Sequence, residues 1–87
     1  MEEIFYVVAF DSTHHAIFME QTLKNSGKEV MMIPTPREIS ASCGLSLKIK
    51  KEDLPFIQEL LKEKKPSYHG IFRVKLKQGK KAIEKID

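Results

Sequence analysis

Ile4-Phe5-Tyr6-Val7-Val8-Ala9-Phe10 is an unbroken apolar run rich in branched and aromatic residues. Such a run reads as a β-strand kept from water on both faces, which places it in the middle of a sheet. After it, Asp11-Ser12-Thr13-His14-His15 supplies hydroxyl and carboxylate candidates for a helix N-cap. Ala16, Met19, Glu20 and Leu23 then recur at helical spacing until Ser26-Gly27, giving a helix of about three turns. Val30 to Ile33 is a second short apolar run, ended by Pro34, and Leu45, Leu47 and Ile49 alternate with Ser46, Lys48 and Lys50 as in a strand with one wet face.

Further along, Asp53 is placed to cap a second helix that tolerates Pro55 in its first turn and carries Leu54, Ile57, Leu60 and Leu61 as its apolar stripe. Lys64-Lys65-Pro66-Ser67 ends it, and Phe72, Val74 and Leu76 alternate with Arg73, Lys75 and Lys77 in a fourth strand whose outer face is expected to be basic. Residues 79–87 suit a short helix, a loosely attached tail or a strand on the sheet edge. The order βαββαβ predicts a ferredoxin-like α+β sandwich in a single domain over 1–87: a four-stranded antiparallel sheet with two helices on one face. In that topology the third strand lies between the first two, which run parallel to each other. The ends of the first and second strands and the starts of the third and fourth then share one rim, with His14, His15, His69, Arg37 and Cys43 along it.

An 87-residue chain with 41% hydrophobic and 31% charged residues can form a small core but leaves little room for a deep enzyme cleft. Its net charge of +3 is well short of a nucleic-acid signature. No run of ~18 apolar residues appears, and Glu2-Glu3 is unlike the basic start of a signal peptide, so a cytoplasmic location without membrane association is expected. The lone cysteine cannot close an internal disulfide, so any redox role depends on a partner thiol.

That cysteine lies in Pro34-Thr35-Pro36-Arg37-Glu38-Ile39-Ser40-Ala41-Ser42-Cys43-Gly44, among small, polar and cationic residues. Ten residues between two strands exceed what connection requires. Thr35-Pro36-Arg37-Glu38 has the form of a capping box with Pro at the first helical position, so one helical turn is expected. Gly44 permits a left-handed backbone or a close backbone approach. A thiol acts as a nucleophile only when ionised, and cations, helix N-termini and free backbone N–H groups favour the thiolate. Arg37, Ser40, Ser42, Gly44, the first helix's start at Thr13, and His69 are therefore candidate binding residues. His14 and His15 are candidate bases or partners of the thiol, although neighbours on a helix point about 100° apart and at most one of the two faces the rim. The alternative for Cys43 is a small buried hydrophobe with a structural role. No Cys-x-x-Cys or His-x-x-x-His spacing points to a metal site.

Phe10-Asp11-Ser12-Thr13-His14-His15-Ala16, Glu20, Leu23, Gly27, Ile33-Pro34-Thr35-Pro36-Arg37-Glu38-Ile39-Ser40 and Ser42-Cys43-Gly44-Leu45 together resemble the small bacterial and archaeal family described as putative selenium/sulfur carrier protein-like. The resemblance spans roughly residues 4 to 75, and Pro-Thr-Pro-Arg with Ser-Cys-Gly is its specific part. Ala41 stands where the family often has serine, and nothing after Leu76 matches. The resemblance implies a carrier of sulfane sulfur or selenium with Cys43 as the attachment point. Because a persulfide needs only one cysteine, such a carrier is expected to work between donor and acceptor proteins, without a bound organic cofactor and without stand-alone turnover.

Two other functions compete. One is a non-catalytic protein-interaction or small-anion-sensing module with a structural Cys43. The other is weak RNA binding across the open sheet face, with Lys48, Lys50, Arg73, Lys75 and Lys77 on phosphates and Tyr6 stacking a base. The open face would equally suit a homodimer.

Overall fold

The computed structural model describes residues 2–37, 39, 44–65 and 68–86. Among them, five strands form one antiparallel sheet in the order β2-β3-β1-β4-β5: β1 (Glu2–Phe10), β2 (Met31–Pro34), β3 (Leu45–Ile49), β4 (Tyr68–Lys77) and β5 (Lys80–Lys85). Helix α1 (Thr13–Asn25) connects β1 to β2, and α2 (Leu54–Lys64) connects β3 to β4. The fold is α+β as expected, with β3 between β1 and β2, but the sheet has five strands rather than four. The added strand is the segment left open as helix, loose tail or edge strand. Gln78 and Gly79 both adopt positive φ (49° and 79°), the backbone of a tight two-residue hairpin, and Lys77 and Lys80 face each other across it.

β1 pairs with β3 on one side and β4 on the other, so its side chains divide between two sheet faces. Tyr6, Val8 and Phe10 join Leu47, Ile49 and Ile71 in a cluster with Ala16, Met19 and Leu23 of α1 and Ile57, Leu60 and Leu61 of α2. Both helices therefore pack on the same face. Full burial of a side chain such as Leu23 or Phe10 stabilises by ~1.5–3 kcal/mol, which makes this layer the main source of stability.

The opposite face carries Phe5, Val7 and Ala9 of β1, in register with Val74, Phe72 and Ser46 on the neighbouring strands. None of these joins the helix-covered cluster. β4 thus reverses the sequence expectation: Ile71 faces the helices, whereas Phe72, Val74 and Leu76 lie on the face away from the helices and Arg73 and Lys75 on the helix side. Arg73 aligns with Tyr6 and Lys75 with Ile4, so the basic residues occupy the part of the helix-side surface toward the start of β1. Alternation alone defines two sets of residues without saying which set meets a helix.

Ser12 caps α1, its Oγ accepting the His14 backbone N–H at 3.2 Å. Asp53 occupies the N-cap position of α2 but makes no side-chain cap there; a 3-10 turn (Lys51–Asp53) leads into the helix instead. Its mostly buried carboxylate lies 3.5 Å from the Lys28 ammonium, which also sits 4.9 Å from the centroid of the Phe56 ring. That contact ties the connection after α1 to the start of α2. No helix among the described residues is long and apolar enough to cross a membrane.

Two contacts close the neck of the loop between β2 and β3. The Thr35 N–H donates to Gly44 O at 3.1 Å, and the Thr35 and Ser46 hydroxyls are hydrogen-bonded at 2.8 Å. Ser46 is fully buried, so the expected wet face of β3 is dry at this position. Removing one partner leaves a buried hydroxyl unpaired, which costs ~1–3 kcal/mol, whereas removing both restores a matched apolar contact. Urea unfolding is expected to show Thr35→Val destabilised by about that amount and Thr35→Val/Ser46→Ala recovering most of the loss.

At the other end of the sheet, the Lys50 ammonium hydrogen-bonds Glu29 at 2.9 Å. That hydrogen bond and the lysine's charge hold the Glu29 carboxyl below the ordinary glutamate range, and Glu29 in turn raises Lys50. The carboxylate favours the folded state above the ordinary glutamate pKa, and its contribution fades as pH falls through the lowered value. Both groups are solvent-exposed, so screening by salt keeps the effect small. Carboxyl-carbon NMR titration is expected to place Glu29 below free glutamate and to return it to the ordinary range in Lys50→Ala.

Candidate functional site

Pro34, Leu45, Phe10 and Tyr68 stand in one register row across β2, β3, β1 and β4. The ends of β1 and β2 and the starts of β3 and β4 therefore form the common rim that the topology predicted. Between Ala9 and Phe10 the pairing with β4 shifts: Ala9 faces Gly70 while Phe10 faces Tyr68, so His69 is an extra residue on that strand. A bulge of this kind re-aims the side chain it carries. The His69 Nε2–H donates to Asp11 Oδ1 at 2.8 Å, with both groups partly open to solvent.

Gly44 supports the rim by close approach and not by a left-handed backbone. A Cβ added there would lie 3.1 Å from the Phe10 carbonyl oxygen and 3.2 Å from Thr35 Oγ1, so any larger residue crowds a backbone atom. The Thr35 hydroxyl, expected in a capping box, is instead hydrogen-bonded to Ser46. The Ile39 N–H donates to Pro36 O at 2.9 Å, a single turn bond rather than a capped helix start. Arg37 is exposed in that turn. Glu38, the other half of the expected box, lies outside the described residues.

At the start of α1, Thr13 and His14 are exposed and His15 is half-buried. The His14 and His15 rings diverge as helical neighbours should, with centroids 6.1 Å apart and planes tilted by 56°. Cys43, Ser40 and Ser42, around which the histidines and Arg37 are expected to gather, lie outside the described residues. Among the described residues, no three of His, Asp and Glu are grouped so as to hold a metal ion.

Asp11 is the rim residue that the sequence reading underused, having been taken only as a cap candidate. Its signal was available: an aspartate directly after the central strand and a histidine at the start of a neighbouring antiparallel strand end up side by side. Elsewhere, a groove of about 500 Å³ lined by residues including Glu3, Tyr6, Lys48, Ile49, Lys51 and Arg73 lies at the opposite end of the sheet from the rim.

The basic residues expected to bind RNA do not share a face. Lys48 lies on the uncovered face, 4.6 Å from the Phe5 ring centroid and 3.9 Å from Glu3, whereas Arg73 lies on the helix side, bound to Glu84 at 2.8 Å. Tyr6 is buried under the helices, which removes the expected stacking platform.

No curated protein and no solved structure matches this chain. A family model described as "Putative Se/S carrier protein-like" matches residues 5–73, from the central strand through the middle of β4. This span covers most of the chain and includes the whole rim and the loop that holds the single cysteine, and the chain belongs to that family.

Proposed function

We propose that the protein is a carrier that holds sulfur or selenium on Cys43 and passes it from a donor protein to an acceptor. The observation that carries this reading is the family match across residues 5–73, because the matched span contains the only cysteine in the chain. On this reading, the β2-β3-β1-β4 part of the sheet is the ferredoxin-like unit, β5 is an addition at its edge, and the setting is a reducing, cytoplasmic one.

In the sulfur case, the Cys43 thiolate attacks the terminal sulfur of a donor persulfide. A new S–S bond forms, the donor's own S–S bond breaks, and the donor leaves as a thiolate. Cys43 then carries a persulfide anion. An acceptor nucleophile attacks its terminal sulfur, and the Cys43 thiolate is the leaving group. One thiol suffices, and no external oxidant or reductant is consumed in either transfer.

The rim supplies what such a step uses. Arg37, exposed beside the loop, attracts the anionic persulfide, and the N–H groups at the start of α1 add positive potential. Ser40, Ser42, Gly44 and Thr13 offer hydrogen-bond donors to the same anion. A neutral imidazole from His14, His15 or His69 serves as proton acceptor for the thiol, and the Asp11 hydrogen bond fixes the orientation of the His69 ring. The competing interaction module needs none of these groups to ionise.

Intact-mass spectrometry after incubation with a protein persulfide is expected to show the mass of one added sulfur atom, removed by reductant and abolished in Cys43→Ser. Unchanged mass in a folded, reduced protein would sink the carrier reading. Arg37→Ala is expected to slow loading by roughly tenfold while leaving the fold intact, the size of one lost charge-assisted contact.

A further inference from the structure

We propose that the uncovered sheet face is the interface of a homodimer, with a second copy of this chain in the place that a helix layer occupies on the other side. β1 is apolar on both faces and β4 is apolar on the face away from the helices, yet α1 and α2 join only the other side of the sheet. On the free face Val7 and Val74 are fully buried by their own neighbours, Phe5, Phe72 and Leu76 are half-buried, and Met31 on the edge strand β2 is 60% exposed. An antiparallel sheet with one face in water ordinarily presents alternating polar residues there. Across β1 and β4 this face presents an apolar band instead, Phe5, Val7, Phe72, Val74 and Leu76, the kind of patch that marks an interface, with the Lys48 stem between that band and Met31.

Its size suits a second copy. At ~3.3 Å rise per residue and ~4.8 Å between strands, the five strands span roughly 500 Å² of sheet plane, before the relief of the side chains is added. Two such faces together reach the ~1,000 Å² that a specific interface requires.

Its charge suits a second copy as well. The acid and base next to the apolar band, Glu3 and Lys48, lie 3.9 Å apart on the same face, so their charges offset each other within one chain. A face of this kind meets its own image without opposing like charges at the centre, as an isologous two-fold contact demands. Lys81 and Lys85 lie farther out, on the edge strand β5, where a polar rim is expected.

Light scattering on the reduced 87-residue chain at about 100 μM is expected to give twice the 10.0 kDa of one chain, and Cys43→Ser is expected to leave that value unchanged. Phe72→Lys and Met31→Lys are expected to weaken self-association by about tenfold or more while keeping the circular dichroism of the wild type. Ile17→Lys, at an exposed position on α1, is expected to have no effect. Met31 is exposed enough that its variant folds even if Phe72→Lys does not. A 10.0 kDa wild type at that concentration, a dimer lost in Cys43→Ser, or a dimer that survives Met31→Lys would each overturn the assignment.

Discussion

The middle strand sets the constraints for this molecule. β1 is hydrogen-bonded to β3 on one side and to β4 on the other, so the polar backbone of its apolar run is paired with other strands rather than with solvent. Its side chains point alternately to two faces, and both sets are apolar. A strand of this composition cannot lie at an edge without exposing either backbone donors or large hydrophobes. Once it is central, the neighbours on either side are fixed, and with them the rim at its C-terminal end. The position of His69 next to Asp11, of Gly44 against the Phe10 carbonyl and of α1 after Ser12 all follow from where this strand stops.

Much of this arrangement was legible in the residues, because the signals were strong and local. The apolar run fixed the central strand, the helical spacing of Ala16, Met19 and Leu23 fixed α1, and the alternation of Leu45, Leu47 and Ile49 fixed β3. The rest depended on tertiary relations. The hairpin to β5 turns on Gln78 and Gly79, both at positive φ. Glutamine is not the asparagine or aspartate that usually announces such a turn, so the segment remained open between helix and strand. The two faces of β4 were exchanged because Ile71, the residue that reaches the helix layer, lies outside the Phe72, Val74, Leu76 alternation. Asp53 looked like a cap by position, yet its carboxylate is drawn to the ammonium of Lys28, a partner 25 residues away in sequence.

At the rim, legibility divided along the same line. Topology brought the strand ends together as expected, because antiparallel order alone decides which ends meet. Side-chain partners did not follow from spacing. Thr35 was assigned to a backbone cap four residues long, but the neighbouring strand offered it the buried hydroxyl of Ser46, which would otherwise have no partner named at this neck. A buried polar group has a large cost if left unpaired, so it wins such a competition over an exposed cap that water can replace.

The neck has a further consequence for a carrier. A cysteine that must meet two different proteins needs reach, and it also needs a fixed starting point, since each transfer requires two sulfur atoms to approach in line. The Thr35 N–H bond to Gly44 O and the Thr35 to Ser46 hydroxyl pair anchor the two ends of the cysteine-bearing segment to the buried part of the sheet. Gly44, the covalent neighbour of Cys43, is held against the carbonyl of the central strand, which a larger residue would crowd. A small domain gains nothing from a deep cleft in this chemistry. On the carrier reading, the donor and the acceptor supply the rest of the reaction site, and this chain contributes one thiol in a segment whose two ends are hydrogen-bonded to the sheet.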